Sequence, residues 1–248
     1  MRWRLTFLVL VMSLVGTLFV APAMAQDNGL AFLDDGSLAG RSIQLIILIT
    51  LLSIVPGLAM MITCFPFIVT VLSILRQGLG LQQSPPNMLL VSLALFLTWF
   101  VMEPVFQEAW RLGGEPYAQG ELELEPAFRA ALGPFRGFME QNVDMETVDM
   151  LTAIRAETPI VVPQPDAEIA LSILVPSFLL SEIERAFQIG FLVFLPFLII
   201  DLVVAAILMS MGMMMVPPAI VSLPFKLAFF VVADGWPLIS GALIRSYG

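Results

Sequence analysis

The chain has 248 residues, of which 59% are hydrophobic and 12% charged, and its mean hydropathy is +0.95. Soluble domains carry about 25% charged residues, so this composition belongs in a bilayer, where helices satisfy their own backbone groups. Histidine is absent, Cys64 is the only cysteine and the net charge is −9; together these exclude an intramolecular disulfide, a His/Cys zinc site, a His-dependent triad and a basic nucleic-acid surface.

The first residues read as a secretory signal. Arg2 and Arg4 form the positive start, Leu5 to Val20 the apolar stretch, and Ala23, Met24 and Ala25 the small-x-small pattern. An uncleaved first helix is the alternative, but Pro22 breaks the helix where cleavage after Ala25 requires it. Residues 1–25 are therefore expected to be removed, leaving the new N-terminus outside the cytoplasm.

Four later segments reach the roughly 20 apolar residues needed to cross hydrocarbon. They are about 43–63, 88–106, 189–211 and 217–232. The predicted fold is all-α and multi-pass, with a first hairpin in 26–106 and a second in 189–248. Segment 107–188 forms a loop outside the cytoplasm between them. The connection 64–87 falls on the cytoplasmic side and carries Arg76 with no acid. The loop holds 14 acids against five arginines.

Helices are expected inside that loop. Pro126 suits the first turn of one that runs to about Glu140. Asp144 can cap a second, whose Met145, Val148, Leu151 and Ile154 follow the helical period. Pro159, Pro163 and Pro165 mark an extended connector. Pro176 is expected to open a third helix, with Phe178, Leu179, Ile183 and Phe187 on one side and Glu182, Glu184 and Arg185 on the other. Glu103, near the outer end of the second span, reads as a rim charge or as part of the loop's packing. A weak internal repeat at an offset of 130 residues pairs Pro66-Phe67 with Pro196-Phe197, and Val91-Ser92-Leu93 with Val221-Ser222-Leu223.

The second hairpin holds the most unusual chemistry, in "MSMGMMMVPPAIVSLPFKL" (209–227). Asp201 lies 11 residues before Gly212, and Lys226, the only lysine, ten after Val216. At about 1.5 Å per residue both sit about 15 Å from the turn. A lone charge at that depth is costly, so the two are expected to pair, across the hairpin or between copies; snorkelling of Lys226 is the plainer alternative. Met213, Met214 and Met215 occupy the tip, and Pro217 and Pro218 restart the helix stiffly. Consecutive tip residues cannot all face one helix surface. A lipid-facing filler is the default for a methionine cluster in a membrane, and composition alone makes an adaptable seal no better than an even alternative.

"PSFLLSEIERAFQIGFLVFLPFLIIDLVV" (176–204), "MGMMMVPPAIVSLPFKL" (211–227), "DGW" (234–236), "SILRQGLGLQQSPPNMLL" (73–90) and "LALFLTWFVMEPV" (93–105) closely resemble the FliP family of flagellar biosynthesis. The likeness starts near Ile43 and departs only in 107–170. It implies a core subunit of the flagellar type III export gate in the cell inner membrane, part of the flagellar basal body. Such subunits assemble as a helical ring of FliP copies, a pentamer, with FliQ and FliR, and FlhB-type and FlhA-type components beside them. Unfolded flagellar proteins are the cargo, and no cofactor or metal is implied. The resemblance makes Met213, Met214 and Met215 the gasket of the channel. Related injectisome subunits share the motifs but usually lack a cleavable signal, which favours the flagellar branch.

Two rival readings are weaker. An intramembrane aspartyl protease would need Asp201 and Asp234 together, yet Asp234 lies 18 residues past the turn, about 10 Å deeper than Asp201. A stand-alone channel or transporter usually needs more spans or a charged filter. The chain is not expected to be an enzyme.

Overall fold

The computed structural model describes residues 38–81, 85–156, 169–213 and 215–247. The expected signal segment with its expected cleavage after Ala25, the connector prolines 159, 163 and 165, and Met214 lie outside the described residues. Within them every regular element is a helix. In order these are α1 Leu38–Met61, α2 Phe65–Gly78, α3 Asn87–Ala109, a π-helical turn Trp110–Gly114, α4 Glu115–Ala118, α5 Leu124–Asn142, α6 Met145–Ala156, α7 Leu171–Ser210, α8 Pro218–Val232 and α9 Gly235–Arg245. The continuous helix 87–118 and α7 are each long and apolar enough to cross a membrane. There are up to four spans if each of two bent helix pairs counts as one.

Contacts divide the chain into Met1–Ser53 and Ile54–Gly248. In the first unit, the described part of α1 presents Leu45, Ile46, Ile49 and Leu52 exposed. The second unit holds the core, and its centre is α2. The segment read from sequence as a simple connection, 64–87, contains this helix. Its 14 residues reach only about 21 Å, too short for a span but long enough for a core helix. Phe67, Ile68, Val71, Leu72 and Leu75 recur at helical spacing and are all fully buried. They face α7 and α3, the elements α2 packs against.

Helix α7 has 40 residues, about 60 Å, twice the thickness of the hydrocarbon. It begins at Leu171 rather than at Pro176, which sits inside it. Its predicted sides are partly reversed. Phe178 is buried as expected, but Glu182 is fully buried too, while Ile183 and Phe187 are exposed. Glu184 stays exposed on the polar side, whereas Glu182 turns inward to Tyr247 and Arg185, as a costly charge in an apolar bundle does.

The loop helices sit where their sequence signals place them. Pro126 is the third residue of α5. Asp144 caps α6, its Oδ2 accepting the Thr147 N–H at 3.2 Å. The Asp144 N–H reaches Ser181 Oγ on α7 at 3.0 Å, which ties the loop to the long helix. In α6 only Val148 of the four periodic positions is fully buried; Met145 and Ile154 are exposed.

Two close approaches are expected to differ in their tolerance of a methyl group. A Cβ on Gly113 would lie 2.3 Å from the Ala127 carbonyl oxygen and 2.7 Å from Ala131 Cβ. Backbone of α5 stands there, so Gly113→Ala is expected to cost about 3 kcal/mol. A Cβ on Gly190 would lie 2.4 Å from Ile74 Cδ1, a terminal methyl that can rotate. Gly190→Ala should therefore cost nearer 1 kcal/mol, and Ile74→Val should relieve it. Thermal unfolding of the purified variants checks both, and an equal cost at the two sites contradicts the packing described.

Candidate functional site: the methionine-tipped hairpin

Helices α7 and α8 form the second hairpin, and its turn is built from backbone rules. Gly212 takes φ +77°. The Met213 N–H donates to the Leu208 carbonyl at 3.0 Å and the Gly212 N–H to that of Met209 at 3.1 Å. This is a Schellman closure, which needs a left-handed residue that glycine adopts freely. Pro217 is the N-cap of α8 and Pro218 its first residue, where a missing N–H costs nothing. Between these stiff ends Met215 is 97% exposed and Met213 38% exposed, and Met209 and Met211, just before the turn, are also exposed.

Below the tip the structure brings Asp201 and Lys226 together. Lys226 is buried, and its Nζ lies 2.6 Å from Asp201 Oδ2. Asp201 Oδ1 accepts the Ser222 hydroxyl at 2.5 Å. Lys226 Nζ also donates to the Gly78 carbonyl at 3.0 Å. Sequence reasoning missed both of these further partners. Ser222 lies one turn before Lys226 on α8, a spacing that places both on one face. Nothing in the sequence links Gly78 to Lys226 across 148 positions. Gly78 ends α2, and its carbonyl is one of the four a helix leaves without an internal partner. One ammonium therefore ties both limbs of the hairpin to the end of the core helix.

Asp234 stands apart from this group, at the bend between α8 and α9. Both oxygens of Asp201 are already engaged, and no bond joins the two aspartates among the described residues. Beside the tip the limbs leave an apolar hollow of about 390 Å³, lined by Val203, Ile207, Leu208, Val221 and Phe225 among others. It offers no polar group to orient a solute.

A model of the FliP family matches residues 48–243, which contain the tip, the ion pair and the core helix. The chain belongs to the FliP family. Among relatives, the flagellar biosynthetic protein FliP of Caulobacter vibrioides is 48% identical over 233 residues, covering 92% of this chain and 86% of the relative. The FliP of Rhizobium meliloti is 44% identical over 248 residues and covers 98% of both chains. That of Bacillus subtilis is 43% identical over 214 residues, 86% of this chain and 96% of the relative.

Proposed function

We propose that this protein is a core subunit of the flagellar type III protein export gate. In this reading it sits in the inner membrane at the flagellar basal body, with 26–106 and 189–248 as its hairpins and 107–188 outside the cytoplasm. Copies form a ring, a pentamer, and with FliQ and FliR enclose the channel through which unfolded flagellar proteins leave. FlhB-type and FlhA-type export components are further partners in this reading. Residues 1–25 act as the signal, cleaved after Ala25.

The observation that supports this most is the tip: Met215 stands 97% exposed between a Schellman turn and a proline pair, next to Met213 and Met214 in the chain. Unbranched, polarizable thioethers close an irregular opening and then deform around a chain of any sequence. Branched or aromatic side chains would close as well but adapt less. The flagellar names of the relatives favour this branch over the injectisome.

Deleting the gene should abolish motility and secretion of flagellar proteins, with both restored by the wild-type chain. Capture of the tagged chain from its native membranes should bring FliQ and FliR in fixed proportion. A monomer that binds a small solute and carries neither partner would contradict the proposal.

A further inference from the structure

Ser246 and Tyr247, just past α9, meet a buried carboxylate that the hairpin does not use. Glu182 on α7 is fully buried, and the Tyr247 hydroxyl donates to its Oε2. The Tyr247 ring stacks on Phe138 of α5, with centroids 5.8 Å apart, and meets Phe67 of α2 edge-on at 5.5 Å. Arg185, one turn along α7, places its guanidinium 4.9 Å from the Tyr247 ring and 5.3 Å from that of Phe67. It also donates to the Ser246 carbonyl. Its Nη1 stays 3.8 Å from Glu182 Oε1, and that oxygen has no hydrogen-bond partner among the described residues.

Residues 246–247 end the segment that begins with α9, and α9 is held at few points. It leaves α8 through a 62° bend, where Asp234 takes φ +48°, a left-handed setting uncommon outside glycine. The Phe230 and Trp236 rings brace that bend edge to face at 5.4 Å. Between the bend and the end of α9 only Gly235 and Leu243 are buried, and Leu238 lies 58% exposed.

We propose that α9 is a strap that pivots at Asp234 and is latched by Ser246 and Tyr247 onto Glu182 and Arg185. A fully satisfied buried network would only rigidify the bundle. Here the closed state leaves Glu182 Oε1 without a hydrogen bond, held only by the Arg185 guanidinium 3.8 Å away, whereas water can reach both oxygens once Tyr247 withdraws. The closed and open states thus offset one another, which is the condition for a two-state element. The latch controls the root of α8, because α9 follows α8 after two residues. Opening would therefore loosen the limb that carries Lys226 and the tip, and would take from α2 only the ring contact at Phe67, leaving its backbone in place.

Hydrogen exchange of the purified full-length protein tests this, and its readout does not depend on export. Tyr247→Phe keeps the ring and removes only the donor. Amides of 238–247 should then exchange about tenfold faster, while those of α2 stay unchanged. Glu182→Gln keeps an acceptor for Tyr247 and supplies its own donor, so exchange in the strap should be no faster than wild type. Wild-type exchange of the strap in Tyr247→Phe would overturn the latch. Equal acceleration of strap and α2 would overturn it as well, since the cluster would then be ordinary core packing.

Discussion

Alanine at Lys226 is expected to cost roughly 3 kcal/mol of stability, the lower end for breaking a buried ion pair, and to reduce assembled protein sharply. Its loss leaves the Asp201 carboxylate without a counter-charge and the Gly78 carbonyl without a donor. Ser222 still reaches Asp201, which softens the penalty. Asp201→Asn should be milder, because the ammonium keeps Gly78 and an amide oxygen. The double variant Lys226→Ala with Asp201→Ala should assemble better than Lys226→Ala alone, since no unpaired charge is left between the limbs. Yield of the intact assembly after purification from membranes reads all three. A double variant as poor as the worse single would contradict a direct pair.

Replacing Met213, Met214 and Met215 together by alanine should leave the hairpin folded, because Gly212, Pro217 and Pro218 set the turn. It should also raise ion leakage at least several-fold in cells expressing the assembled gate. In the proposed gate each substitution shortens a side chain at a constriction that would hold back water by being apolar and narrow. Leucine at the same three positions should close the resting gate but slow export, since branched side chains adapt less. Unchanged permeability in an assembled alanine variant would remove the seal from the proposal.

The parts of this fold written into short spacings were legible in the sequence. The Gly-Met-Met-Met-Val-Pro-Pro turn announced a stiff hairpin, and equal distances from it put Asp201 and Lys226 at one depth. The Asp144 cap and the place of Pro126 followed from local backbone chemistry. Other features depended on contacts that no spacing encodes. Helix α2 was hidden because a 14-residue apolar segment between two candidate spans looks like a connection when only spans are counted. On α7 the apolar residues surround the helix, so period gave little contrast and Glu182 was assigned to the wrong face. The meeting of Tyr247 with Glu182 joins residues 65 positions apart, on segments whose order alone gives no reason to touch.

The central claim is that polypeptide in transit touches the methionine tip, and a photo-crosslinker tests it most directly. A benzophenone amino acid at position 215 should trap cargo stalled by a folded C-terminal fusion, whereas the same group at exposed Phe128 on α5 should not. Cargo caught at 128 but never at 215 in a gate that still secretes would contradict the account.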